Sequence, residues 1–188
     1  NDLFIGSRKK IKEIVKLLSM EHKIIIQSLE NNIAVFNSIL SGASEKLQVW
    51  RAAPEKWNLL EIVCHLYDEE CDDFRTRLKS VLENPESEFP AIDPIAWVRE
   101  RKYAKNDFTD KLDAFLDERE ESIKWLRSLK NPQWENAYQH PKLGAMSGNL
   151  FLANWLEHDY LHMRQILNIK HEYLKSISGQ KLNYAGNW

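Results

Sequence analysis

The chain has few residues that break helices. Its 188 residues include six glycines and six prolines, and these gather between segments of helical periodicity. That scarcity favours long helices over many short strands. Cysteine is scarcer still. Cys64 and Cys71 are the two in the sequence, and seven residues along one helix they would stand about 10 Å apart, beyond disulfide reach. They read as reduced, partly buried thiols, which suits a reducing compartment and makes the cytoplasm the expected location. No apolar run reaches membrane-spanning length. The first ten residues lack an initiating Met and lack a signal-peptide pattern. Excess positive charge is missing too. The 26 Lys and Arg are balanced by 28 Asp and Glu, for a net charge of -2, and no basic stripe marks a nucleic-acid interface.

What is present is 43% hydrophobic and 29% charged, the composition of a globular protein able to bury a core. The length implies one domain over residues 1–188, with a helical core at about 11–170 and a polar tail at 175–188. Ile11, Ile14, Leu18, Ile25, Leu29, Ile33, Phe36 and Leu40 recur at helical spacing, which predicts a first helix over residues 8–40 with a break near Ser19 as an option. Trp50 and Trp57 follow as lid residues over one end of a bundle. Asn58 with Glu61 is a capping-box pattern that opens a second helix running to Glu83. Residues 86–105 form a long crossover with a short helix near 95–101, pinned by Trp97 and Tyr103. A third, acidic helix runs from about Asn106 or Asp107 to Leu129, with Arg119 turned inward. Residues 133–146 read as an aromatic loop rather than a strand pair. Ser147 caps a fourth helix that runs to about Leu174. The fold class is therefore all-α, a four-helix bundle with one long crossover connection.

The fourth helix carries His158 and His162. Residues four apart share a helix face, so the two imidazoles can aim at one metal ion. An arbitrary helix also carries such pairs as ordinary surface or core residues. His65, on the second helix, falls off its apolar stripe beside Glu61, Asp68, Glu69 and Asp72. The wheel alone places it on a solvated charged face, and His140 reads as a surface turn residue.

Two segments carry a family resemblance. Residues 54–70 run from Pro54 through Lys56-Trp57-Asn58 to His65-Leu66-Tyr67-Asp68-Glu69-Glu70. Residues 157–166 contain His158, His162 and Gln165-Ile166. In order and spacing these resemble the DinB-like superfamily of damage-inducible, YfiT-like four-helix bundles, over roughly residues 11–170. The resemblance implies that His65, His158 and His162 bind a divalent metal, zinc or nickel. It brings His65 off the solvated face and into an open groove. Asp68, Glu69, Glu157, Asp159 and Gln165 are the neighbours placed to orient the imidazoles, and Glu69 could ligate directly.

Three imidazoles with an open position describe a reactive site. The resemblance implies a metal-dependent thiol S-transferase using a low-molecular-weight thiol as co-substrate, or a related small-molecule enzyme, with hydrolysis as another use of the same ion. The alternative is a non-catalytic stress-response or interaction bundle. An enzyme should present an open coordination position to a groove lined by residues such as Trp50, Trp57, Tyr67 or His140. No catalytic acid or base is assigned. His158-Asp159-Tyr160-Leu161-His162 is not the metalloprotease His-Glu-x-x-His, because Asp159 stands where the catalytic Glu would be. The expected partner is a small-molecule substrate, with no nucleic acid and no membrane. Dimers occur in the family, so a homodimer is compatible with the resemblance.

Overall fold

A computed structural model describes residues 2–186 and 188, with side chains described from residue 21 onward. Helix α1 spans Asp2–Leu40 and continues through Ser19 without a break. The burial of Ile11, Ile14 and Leu18 lies outside the described side chains. The short helix α2, Glu45–Val49, is capped by the Ser44 side chain. Asn58 then opens α3, Leu59–Asp68, with the full reciprocal capping box to Glu61, which satisfies two backbone donors that the helix end leaves free.

The second long helix is not uniform. Between α3 and α4, Arg75–Glu83, lies a π-helical segment, Glu69–Phe74. An α-helix drifts about 40° for every four residues, so Leu66 and Leu78 would end about 120° apart. The π turn absorbs one extra residue. Leu66, Glu70, Phe74 and Leu78 all become buried, and the helix keeps one inward side along its length.

The crossover carries α5, Pro94–Glu100, capped by Asp93, and one 3-10 turn, Tyr103–Lys105. Trp97 and Tyr103 are buried against the core. The Tyr103 hydroxyl donates to Asp68 Oδ2 at 2.6 Å, and Arg101 pairs with Asp68 and Asp72. Helix α6, Phe108–Ser128, starts at the Asp107 cap. The segment expected to be loop forms a hairpin instead, β1 (Ala137–His140) antiparallel to β2 (Gly144–Ser147), with His140 opposite Gly144. At four residues each, with no clean alternation of burial, these strands have little period for a sequence to display. Gly148 opens α7, Gly148–Ser178, one turn longer than expected. It sits so close to Leu82 and the Trp134 backbone that an added Cβ would lie 2.9 Å from Leu82 Cδ2 and 3.0 Å from the Trp134 carbonyl oxygen.

The long helices α1, α3–α4, α6 and α7 pack as a bundle with two apolar halves. One gathers Phe36, Leu59, Ile62, Leu66, Tyr103, Phe115 and Ile166. The other gathers Leu29, Phe74, Leu78, Ile123, Leu152 and Trp155. Polar side chains are concentrated between them, and the histidines belong to that layer. Among the described residues no helix is long and apolar enough to cross a membrane.

Candidate metal centre

His65 comes from α3, and His158 and His162 from successive turns of α7. Their Nε2 atoms converge. His65 Nε2 lies 3.2 Å from His158 Nε2, and His162 Nε2 lies 3.0 Å from His158 Nε2. The three ligand atoms all fall within 4.8 Å of one another. Trp57 meets His65 edge-to-face at 4.9 Å between centroids, and Phe74 lies 4.9 Å from His158, so each apolar half contributes one aromatic wall.

Burial makes the three imidazoles weak bases. Desolvation, with His162 nearby, lowers His65 to about 3. Desolvation lowers His162 to about 4 against the raising effect of Gln165. His158 lies well below its ordinary value, from desolvation and then from His162, His65 and Arg119. At neutral pH all three are uncharged, the form that coordinates metals. The tautomer of His162 follows from its partner. Nδ1 lies 2.9 Å from Gln165 Oε1, a carbonyl oxygen that only accepts, so Nδ1 carries the hydrogen and Nε2 turns a lone pair inward.

The donor set fits a divalent ion. Nitrogen atoms around a tetrahedral zinc with ~2.0–2.1 Å bonds stand about 3.3 Å apart, close to the separations found here. Neutral imidazoles at that distance cannot all satisfy one another, since each shared contact holds one hydrogen at most. His65 Nδ1 is buried without a hydrogen-bond partner, and so is the nearby Glu69 Oε1, with 3.8 Å between them. Burial and the neighbouring Asp73 push the Glu69 carboxyl up to about 8.

His65 is therefore not a solvated residue. It is 5% exposed, and Glu61, Asp68 and Glu69 on the same side are buried with it, each at 4–5%; Asp72 alone of that group stays exposed. The expected groove lining is corrected too. Trp57 touches the centre. Trp50 packs on Tyr173, Tyr67 faces α6 beneath the Lys111 ammonium, and His140 Nδ1 accepts from the Lys142 and Leu143 amides of its own turn. Of the neighbours expected to orient imidazoles, Gln165 bonds His162, Glu69 faces His65 Nδ1, Asp68 serves the crossover, and Glu157 is exposed. Glu69 lies on the Nδ1 side of His65, away from the convergent Nε2 atoms.

Asp159 belongs to a feature that the sequence did not disclose. Arg119 sends Nη1 and Nη2 to its two carboxylate oxygens at 2.7 and 2.8 Å, and Nε to Glu70 Oε1 at 2.9 Å. Asn32 from α1 donates to Asp159 at 2.8 Å, and Trp155 Nε1 donates to Glu70 at 3.0 Å. Two grooves also open on the surface away from His65, His158 and His162. One of about 510 Å³ lies between α1 and α6 beside Ile33 and Ile123. The other, about 910 Å³, is bordered by His22, Leu126 and Trp134.

The sequence model describing the DinB superfamily matches residues 28–166. No curated protein matches the chain. Among solved structures, YfiT from Bacillus subtilis superposes with a TM-score of 0.71 at 18% identity, over 85% of this chain and 89% of its own. It is described as a probable metal-dependent hydrolase with an unusual four-helix bundle topology. The likeness shows the four-helix fold.

Proposed function

The chain belongs to the DinB superfamily, and from that premise we propose that it is a divalent-metal protein of small-molecule chemistry, with His65, His158 and His162 holding the ion through Nε2. The convergence of the three Nε2 atoms carries this reading. Three neutral ligands leave the full positive charge on the ion, which would supply Lewis acidity to a thiol or a water drawn to it. The chain's own part is to present lone pairs. Gln165 fixes the His162 tautomer, burial keeps all three imidazoles unprotonated, and Trp57 and Phe74 pack against His65 and His158.

Two uses of that acidity are open to test. Thiol S-transfer would have to draw its sulfur from outside the chain. Cys64 and Cys71 are both free thiols, neither belongs to the cluster, and burial pushes each up to about 12. A nucleophilic sulfur would therefore have to come from a separate low-molecular-weight thiol. Hydrolysis is favoured by the description of the YfiT structure.

Metal content of untagged protein, measured by mass spectrometry beside His65→Ala and His158→Ala, is the first test. About one zinc or nickel per chain in the wild type, absent from both variants, is the expected result. Protein that stays metal-free in added zinc or nickel would return the histidines to a structural role and favour the interaction bundle. With metal bound, electrophile turnover that requires added thiol would select transfer, and ester turnover without thiol would select hydrolysis.

A further inference from the structure

The ionic cluster of Glu70, Arg119 and Asp159 has no part in the reading above, yet it occupies the same polar layer. Its three members are 0–1% exposed. One guanidinium meets two carboxylates. Besides the bonds to Asp159, Nη2 stands 2.9 Å from Glu70 Oε2 and Nε donates to Glu70 Oε1 at 2.9 Å. The faces of Phe115 and Trp155 flank it, at 5.4 and 5.8 Å from ring centroid to guanidinium carbon.

A stability role accounts poorly for this arrangement. Replacing a buried ion pair by apolar residues of similar size is often neutral or stabilising, whereas fixing one register among several is its best attested use. The placement of the two carboxylates shows which register is at stake. Asp159 follows His158 directly on α7 and precedes His162 by three. Glu70 follows Glu69 in the π turn, five residues after His65. The guanidinium thus ties together the two helices that carry the imidazoles, from a third helix that carries none.

We propose that Arg119 is a positioning residue for the metal centre: by gripping Glu70 and Asp159 it fixes the rotation of the α3–α4 helix against α7, and so the point at which His65, His158 and His162 meet. This rests on the metal reading for its purpose. A side-chain tip about 6 Å from a helix axis moves ~1 Å for a 10° rotation. Metal–ligand distances tolerate about 0.2 Å. Apolar contacts are non-directional and do not by themselves single out one rotation. Two bidentate forks on one planar group are much stiffer.

The test compares the wild type with R119K and with E70L/R119M/D159L. R119K keeps the charge and loses the forks. The triple variant removes the charges together, so no buried charge is left uncompensated and the bundle can fold; a cooperative melt checks that it does. We expect zinc affinity by calorimetric titration to fall at least tenfold in both, and the cobalt(II) absorption bands to change shape. Wild-type affinity and spectrum in a folded triple variant would overturn the proposal. So would R119K that binds like the wild type while the triple variant does not, since charge rather than geometry would then be responsible. Crystal structures of the metal-free proteins give a readout that needs no ion. Spread Nε2 atoms in the variants support positioning even if the wild type binds no metal, and separations held to about 0.2 Å overturn it.

Discussion

Two polar clusters share the waist of this bundle and are built on opposite terms. The ionic cluster is charged, sealed and satisfied: both oxygens of Asp159, both oxygens of Glu70 and three guanidinium nitrogens have partners. The imidazole cluster is neutral and left incomplete. His65 Nδ1 and Glu69 Oε1 are buried without partners, and the three Nε2 atoms face one another. Buried polar groups ordinarily find hydrogen bonds, so an unfinished set marks a place reserved for something else. The first cluster spends its charges on one another; on the proposed reading, the second holds its nitrogens for an ion.

The largest expected difference between them is in stability. Arg119→Ala strands two buried carboxylates and should cost about 3–5 kcal/mol in denaturant unfolding. His65→Ala in the metal-free protein removes a group with no satisfied bond to lose at Nδ1, and should cost about 1–3 kcal/mol. Equal losses in the two variants would erase the distinction.

Acid should sharpen it next. The folded-state values of His65 and His162 are lowered to about 3 and about 4, below the ordinary imidazole value of about 6.5. Below that value the unfolded chain binds protons that the folded chain refuses. Their contribution is therefore fully present above about pH 6.5 and is lost as pH falls through 4 towards 3. Chemical denaturation of metal-free protein should show stability dropping across that window. His162→Gln should flatten the upper part of the drop. Zinc should raise stability and carry the lower end of the drop to lower pH, leaving its onset at about pH 6.5, because the ion competes with protons for the same nitrogens only in the folded chain. An unchanged slope in His162→Gln would place the titrating groups elsewhere.

Zinc itself should distinguish the clusters by about 2.7 kcal/mol when free ion stands at a hundred times its dissociation constant. The shift is expected in the wild type and absent from His158→Ala, and a thermal melt with and without zinc reads it. A stabilisation of equal size in His158→Ala would mean that the ion sits at another place.

Much of this was legible from local rules and some was not. Asn58 with Glu61, and Ser147, announced two helix starts because capping is written in a few adjacent residues. The i, i+4 spacing of His158 and His162 put them on one face before any fold was known. His65 was harder, since a uniform helical wheel places it among Glu61, Asp68 and Glu69, and acidic neighbours look solvated until Arg51 is seen against Glu61 and Tyr103 and Arg101 against Asp68. The family resemblance, not the wheel, brought it inward. Arg119 was expected to turn inward, but its partners lie on two other helices. Glu70 lies about 40° from Leu66 on a helical wheel, within the apolar stripe, but a carboxylate there names no partner until α6 is placed against it; the π turn that keeps Phe74 and Leu78 inward has no marker in composition. The hairpin was missed for a related reason, being too short to show a period of two.

The smallest expected effect tests whether the imidazole cluster is organised by the chain or only by the ion. Gln165 offers Oε1 to His162 Nδ1 at 2.9 Å and is half-buried on the outer edge of the site. It is not part of the ionic cluster and carries no charge. Gln165→Leu keeps approximate size and removes the acceptor, leaving His162 free to move its hydrogen to Nε2 and turn a donor towards the ion. Loss of such a partner costs about 10- to 100-fold in metal affinity, or about 1.4–2.7 kcal/mol, while the melting of metal-free protein should change little. Gln165→Glu should restore or raise affinity, because a carboxylate accepts the same hydrogen more strongly. Nitrogen chemical shifts of His162 would report the tautomer directly. If Gln165→Leu bound zinc as the wild type does with the hydrogen still on Nδ1, the centre would be set by the mutual placement of α3 and α7 alone, and the ionic cluster would carry all of the chain's control over it.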